Sequence, residues 1–310
     1  MATTHHAVHE ITVAASASRV YDLVADVAAW PAVFPPTVHV EVVERAGQDE
    51  RIRIWATANG EVKNWTSRRT LDPEALCVHF RQEVSQHPVA AMGGTWVIRP
   101  VTDGLTAITL EHDYQAVSDT HLGWIEEAVD RNSQAELSAL KNRAEHARSE
   151  DLTLSFEDTL EVAGKARDLY AFVDEAEHWP DRLPHVARVE LTEPAPGVQR
   201  LAMDTLAPDG STHTTESIRL TFPTGRIVYK QLGLPKLLTV HTGEWRFAET
   251  GTGSRITSQH TVVLDPDAIV PVLGPAAGIT DAREYVRDAL SHNSATTMRH
   301  AKDHAERNAR

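Results

Sequence analysis

Two stretches far apart in the chain repeat one another, and that repeat limits the possible folds more than any other feature. Val20-Tyr21-Asp22 through Trp30-Pro31 can be laid on Leu169-Tyr170-Ala171 through Trp179-Pro180. Tyr21 then meets Tyr170 and Trp30 meets Trp179, each 149 residues on (170 − 21; 179 − 30). Gly94 and Trp96 meet Gly243 and Trp245 at the same offset. Arg69 meets Arg219 at 150 once Pro73 is set on Pro223, and Asn132-Ser133 meets Asn293-Ser294 at 161, which puts an insertion in the second half. Rare residues matching over the whole length indicate two copies of one domain, and 310 residues suit two cores better than one. The boundary is expected near Ser149-Glu150, giving domains 1–149 and 150–310.

Each copy reads as the same series. Residues 7–14 alternate as an edge strand. Ser16 or Ser18 caps a helix running to about Val27, with Val20, Leu23, Val24 and Val27 on one face. Trp30 to Pro36 is a short helix or turn closed by prolines. Strand-like runs follow at 38–45, 51–58, 61–71, 76–83, 94–100 and 107–115, and Asn59-Gly60 between two of them is a strong hairpin signal. Asp119 to Ala147 is one long helix with Ile125, Val129 and Asn132 along its apolar stripe. The second copy repeats this with a helix at Lys165–Asp174, strands between Val186 and Leu264, an inserted connection Pro266–Thr280 and a helix from about Asp281 to Ala309. The expected fold is α+β: two tandem helix-grip domains, each a curved antiparallel sheet wrapped around a long C-terminal helix. A sheet and helix in that relation leave an internal cavity.

Composition excludes several classes. Cys77 is the one cysteine, so no internal disulfide forms, and a reducing cytoplasm is the expected setting. No run reaches the ~18 apolar residues of a membrane span. A formal net charge of −14 argues against nucleic acid and against anionic membranes as partners. His300 and His304 stand one helical turn apart, but no third ligand has matching spacing; no metal and no cofactor is expected.

The strand Asn64–Pro73 concentrates the candidate chemistry. Alternation places Trp65, Ser67, Arg69 and Leu71 on one face and the wholly polar Thr66, Arg68 and Thr70 on the other. An Arg on the apolar side of a strand is either the buried partner of a carboxylate or part of a ligand cavity. His112 shares inward parity with Ile108, Leu110 and Tyr114, and His260 holds the matching place in the second copy. A histidine there is a general base or a satisfied core residue. Asn132 and its counterpart Asn293 are either helix-to-sheet packing hydrogen bonds or ligand contacts.

A resemblance becomes specific at Trp30-Pro31, Phe34-Pro35-Pro36-Thr37-Val38-His39-Val40, Arg51 through Gly60, Trp65-Thr66-Ser67-Arg68-Arg69 and Met92-Gly93-Gly94-Thr95-Trp96. These segments are similar to the aromatase/cyclases of bacterial type II aromatic polyketide synthases, which have the START-like helix-grip fold, and the duplicated length resembles their didomain branch. The match is weaker in the second half, where Thr215 and Ile218 stand for Trp65 and Arg68. The resemblance implies an enzyme acting on a poly-β-ketone held by an acyl carrier protein, with ketosynthase and ketoreductase as companion subunits. It implies closure of the first ring between carbons seven and twelve by an aldol step, then loss of water, with the two halves contributing to closure and dehydration. Under that reading Arg69, with Arg219 in the second copy, holds developing negative charge, Ser67 holds a water or a carbonyl, and His112 is the candidate base. Trp30, Phe34, Trp65, Trp96, Tyr114, Asn132, Trp245, His260 and Asn293 line the substrate, and Trp55 is a further candidate. Arg51, Arg53 and Arg68 are the expected carrier-docking patch near the first pocket's mouth. The other reading is a non-catalytic carrier of hydrophobic ligands, or a chaperone of the nascent chain.

Overall fold

In the computed structural model, which describes residues 3–146, 149–206 and 212–309, the chain divides into two units, Met1–Ser149 and Glu150–Arg310. The first unit runs β1 (His5–Val13), α1 (Ala17–Ala25), α2 (Trp30–Val33), β2 (Thr37–Ala46), β3 (Asp49–Ala58), β4 (Glu61–Asp72), β5 (Cys77–Val84), β6 (Val89–Thr102), β7 (Leu105–Ala116) and α3 (Leu122–Glu145). Its seven strands form one antiparallel sheet in the order β1-β7-β6-β5-β4-β3-β2, so β1 is an edge strand, as its alternation predicts. Asn59 and Gly60 take positive φ values of 49° and 82°, the left-handed pair that a two-residue hairpin needs, and the β3–β4 ladder closes directly on them at Ala58 and Glu61.

Ser16 starts α1 by accepting a hydrogen bond from the Arg19 amide at 3.4 Å. Val20 and Val24 on the inner face of α1 pack with Val13, Ile98, Ile108 and Leu110 of the sheet and with Leu137 and Leu140 of α3. Fully burying each such side chain contributes about 1.5–3 kcal/mol, and this cluster grips the C-terminal half of α3. The N-terminal half of α3 has less apolar filling beneath it, and that is where space opens.

The division falls at the start of α4 (Ser149–Leu152), after which the second unit follows the same plan: β8 (Thr153–Val162), α5 (Ala166–Asp174), α6 (Trp179–Arg182), β9 (Val186–Ala195), β10 (Val198–Leu206), β11 (Thr212–Phe222), β12 (Arg226–Gly233), β13 (Leu238–Thr250) and β14 (Gly253–Leu264). Its sheet order, β8-β14-β13-β12-β11-β10-β9, repeats the first strand for strand. The insertion expected as a connection carries a helical segment, α7 (Ile269–Leu273), whose Ile269 packs into a core with Leu154, Leu237 and Val286. The long helix α8 (Ile279–Asn308) opens with the Gly278 amide bound to the Asp281 carboxylate at 2.8 Å. Both units are helix-grip folds.

Candidate active site

Arg69 and Trp30 turn out to be joined through the end of α1. The Arg69 guanidinium donates from Nη2 to the carbonyls of Val24 (3.0 Å) and Ala25 (3.3 Å), and lies 4.8 Å above the Trp30 ring. Trp30 Nε1 donates to the Val24 carbonyl as well, at 3.1 Å. These carbonyls belong to the last turn of a helix, where they lack helical partners and carry the negative end of its dipole. Arg69 Nη1 also pairs with Glu50 Oε1 at 3.1 Å, both side chains being 1% exposed. Glu50 in turn accepts two bonds from Arg45, at 2.7 and 3.1 Å. Burial pushes the Arg69 pKa down to about 10 against the pull of Glu50, which leaves it a cation at neutral pH. The second unit repeats the clamp: Arg219 donates to the Val173 carbonyl and lies 5.2 Å over Trp179, whose Nε1 donates to the Phe172 carbonyl at 3.1 Å. Both readings of Arg69 hold, since it is a buried ion-pair partner and also borders a cavity.

That cavity has two connected chambers under the N-terminal half of α3. The inner one, about 100 Å³, is bounded by Trp30, Phe34, Ser67, Arg69, Trp96 and Leu110. The outer one, about 140 Å³, is bounded by Lys63, Val89, Trp124, Val129 and Asn132. Trp30, Ile54, Trp65, Gln82, Met92, His112 and Glu136 line both and so form the waist between them. The inner end is closed by aromatic packing, Phe34 meeting Trp30 edge-on at 5.4 Å and stacking on Trp96 at 6.0 Å.

Two titratable groups meet this waist from opposite sides. His112 points inward from β7, with the Phe80 ring edge-on at 5.4 Å, and its buried Nδ1 has no hydrogen-bond partner among the described residues. Burial, aided by His9 and opposed by Asp113, pushes its pKa down to about 4, so the imidazole is neutral at pH 7. Glu136 projects from α3, and burial alone pushes its carboxyl up to about 8, so it keeps its proton at pH 7. A neutral base and a neutral acid therefore face one apolar space. Sequence reasoning missed Glu136. Its signal was available: eleven residues after Ile125 is about three helical turns, which puts a carboxyl on the stripe read as apolar.

Register explains the recurring glycines. One inward row crosses the first sheet as Glu50, Arg69, Phe80, Gly94 and His112. A Cβ at Gly94 would overlap the Phe80 ring and the Glu111 carbonyl. The second sheet carries Gln199, Arg219, Tyr229, Gly243 and His260 in that row, and there a Cβ would overlap the Tyr229 hydroxyl. That hydroxyl reaches His260 Nδ1 at 2.9 Å and His241 Nε2 at 3.4 Å. Ser258 and Ser294 flank His260 Nε2 at 3.1 and 3.4 Å. Burial pushes His241 down to about 3 and His260 to about 4, so the second interior is a neutral hydrogen-bonded cluster.

Other expected site residues lie elsewhere. Tyr114 is inward but packs with Ile125 and Val129, outside both chambers. Trp55 is on the outer face, 4.7 Å from the Arg53 guanidinium, because Ile52, Ile54 and Ala56 take the inward parity of β3. Asn132 borders the outer chamber while donating to the Thr57 carbonyl at 2.9 Å, which ties α3 to the β3–β4 hairpin. Asn293 is exposed, since Ser294, Thr297 and Met298 hold the buried phase of α8. Trp245 is a core residue of the second unit. The expected docking patch is not at the mouth: Arg51 and Arg68 share the opposite parity from Ile52 and Arg69, and both pair with Glu83. Lys63 is the cation bordering the outer chamber, 2.7 Å from Glu61 and 5.3 Å from the Trp124 ring centre.

With this geometry in place, comparison with known proteins is informative. The family described as "Polyketide cyclase / dehydrase and lipid transport" matches twice, over residues 4–145 and 153–303. The actinorhodin polyketide synthase bifunctional cyclase/dehydratase of Streptomyces coelicolor is 49% identical over 308 residues, covering 96% of each chain. The corresponding granaticin protein of Streptomyces violaceoruber is 48% identical over 309 residues, covering 98% of this chain and 95% of its own. The crystal structure of the di-domain ARO/CYC BexL, from the BE-7585A biosynthetic pathway, superposes with a TM-score of 0.87 at 56% identity, covering 97% of this chain and 99% of that one. Two family matches that together span nearly the whole chain, one on each helix-grip unit, show that the chain belongs to the polyketide cyclase/dehydrase family.

Proposed function

We propose that the first unit is an enzyme that folds a poly-β-ketone, one of its ketones already reduced and its end still held by an acyl carrier protein, within the two chambers. There it closes the first six-membered ring between carbons seven and twelve and removes water to make it aromatic. The observation that carries this reading is the waist, where His112 and Glu136 are held in complementary proton states on one apolar cavity. Pairs of groups whose surroundings drive their pKa values apart are the signature of assigned acid and base roles.

The chemistry follows from those states. His112 Nδ1 accepts a proton from a methylene between two carbonyls, and the enolate carbon attacks a ketone further along the chain. As the new carbon–carbon bond forms, the ketone oxygen takes the Glu136 proton and becomes a hydroxyl. In the second step the Glu136 carboxylate takes a proton from a neighbouring C–H, the C–O bond breaks, and the hydroxyl leaves as water with the proton held on His112, which returns both groups to their starting states. Arg69 stands three strands from His112 along its row, about 14 Å between Cα atoms. It therefore serves a different atom: its fixed charge at the inner end orients a remote carbonyl, with Ser67 beside it. The apolar walls contribute by holding reacting carbons near contact distance, an entropic gain of several kcal/mol. The carrier would present its cargo at the outer chamber, past Lys63 and Trp124.

The test is product analysis from a reconstituted minimal synthase with ketoreductase. Wild type should give the correctly closed aromatic ring, whereas folded His112→Gln and Glu136→Gln variants should give spontaneously cyclised side products. Unchanged aromatic product from both variants would refute the assignment.

A further inference from the structure

One polar group at the waist is not used by the acid–base pair. Gln82 faces inward from β5, opposite Ser67 of β4, and borders both chambers. Its Nε2 donates to Met92 Sδ at 3.6 Å. A thioether sulfur can only accept, so the amide is turned with its nitrogen toward Met92. The oxygen at the other end, Oε1, is buried and has no hydrogen-bond partner among the described residues. A buried amide oxygen left in that state is costly, and natural proteins rarely leave one without a reason. What it lacks is a donor.

The chemistry of the cargo limits what that donor is. A chain of ketones in its keto form presents acceptors along its length and no O–H. A reduced carbon, or the carbon that has just undergone aldol closure, presents a hydroxyl. We propose that Gln82 Oε1 receives the hydrogen bond of a substrate hydroxyl, so that the waist distinguishes alcohol from ketone and positions the alcohol beside His112 and Glu136. This inference rests on the reading of the chambers as the polyketide site. It makes Gln82 a positioning residue: the amide gives and takes no proton, and it fixes which carbon–oxygen bond faces the acid and base.

The test is calorimetric titration of the full chain with a tetrahydroanthracene alcohol and with the ketone obtained by oxidising it, two probes that differ at one oxygen. Wild type should bind the alcohol about tenfold more tightly, the size expected when a buried acceptor is either satisfied or left empty. Gln82→Met should bring the ratio to about one. Gln82→Glu, which keeps an acceptor, should retain the preference, a rescue that a purely structural role would not produce. Equal wild-type affinities, or a preference that survives Gln82→Met, would overturn the role of Gln82 and leave the chamber assignment standing. Failure of wild type to bind either probe would overturn the chamber assignment and this inference with it.

Discussion

Glu136→Gln is a stability experiment as much as a catalytic one. In the folded chain the carboxyl is pushed from 4.5 up to about 8 by burial. The folded protein therefore keeps a proton that the unfolded chain has released across that interval. A group with a raised folded pKa contributes fully below its unfolded value, and its contribution is lost as pH rises through the folded value. At roughly 1.4 kcal/mol per pH unit, the interval of about 3.5 (8 − 4.5) amounts to about 5 kcal/mol. That figure is a ceiling, since water entering the chambers would solvate the carboxylate. Gln has the same shape and no charge at any pH. The gap between variant and wild type should be near zero at about pH 4, widen up to about pH 8, and stay level above it. For a unit of this size the plateau corresponds to at most about 10–20 °C in melting temperature. His112 shifts in the opposite direction, but it is present in both proteins and cancels in the difference. Melting curves measured every half unit of pH would decide the matter. Two curves that run parallel would mean that Glu136 is ionised at neutral pH, and the acid role would fall with it.

Arg69→Met should cost the first unit about 3–5 kcal/mol in urea unfolding, because it leaves buried Glu50 with Arg45 alone and takes the Arg69 donor from the Val24 and Ala25 carbonyls. The double variant with Glu50→Gln should recover part of that, and a single-variant loss under about 1 kcal/mol would contradict the clamp. His112→Gln should slow ring closure about 10²- to 10⁴-fold with little change in melting temperature. In wild type the acid-side fall in rate should come only as pH drops toward about 4, where the imidazole gains its proton, and an alkaline-side fall should come as pH rises through about 8, where Glu136 loses its own; an acid-side fall centred on the ordinary histidine value would refute the buried-base assignment. Tyr229→Phe removes the bond to His260 and should cost about 1 kcal/mol while leaving the product unchanged; altered product would bring the second interior into the chemistry.

The fold was legible because it depends on periodicity and turns, which are local. Strand parity placed Trp65, Ser67 and Arg69 on the inner face, and Asn59-Gly60 located the hairpin to the residue. Trp55 is not a lining residue because the parity of β3 puts Ile54 inward and Trp55 outward. The partners of Arg69 were beyond sequence reading. Glu50 lies on β3, opposite Arg69, and the Val24 carbonyl lies on a helix 45 residues away, so only the assembled fold brings them together. Gln82 was invisible for another reason: polar residues on strands are ordinary, and nothing local says that one amide oxygen will be buried without a donor.

The two copies separate what the fold requires from what the chemistry requires. The Arg, the Trp-Pro, the glycine of the inner row and the histidine recur in both units. In each unit the first two secure a helix end, and the glycine makes room for an aromatic ring. Recurrence therefore marks the helix-grip scaffold, and it drew attention to Arg69 for a reason that is partly structural. The waist of the first unit mixes positions that recur with positions that do not: at the repeat offsets Trp65 becomes Thr215, Met92 becomes His241 and Glu136 becomes Thr297, whereas Trp30 meets Trp179, Gln82 meets Gln231 and His112 meets His260. For His112, which recurs, the surroundings decide its role. Beside Phe80 its Nδ1 has no partner among the described residues, and the ring borders both chambers; its counterpart His260 is bound by Tyr229, His241 and Ser258 and has no lone pair to spare. The same imidazole at the same register is thus available as a base in one unit and consumed as a structural group in the other. The first unit is accordingly where the chemistry should be sought.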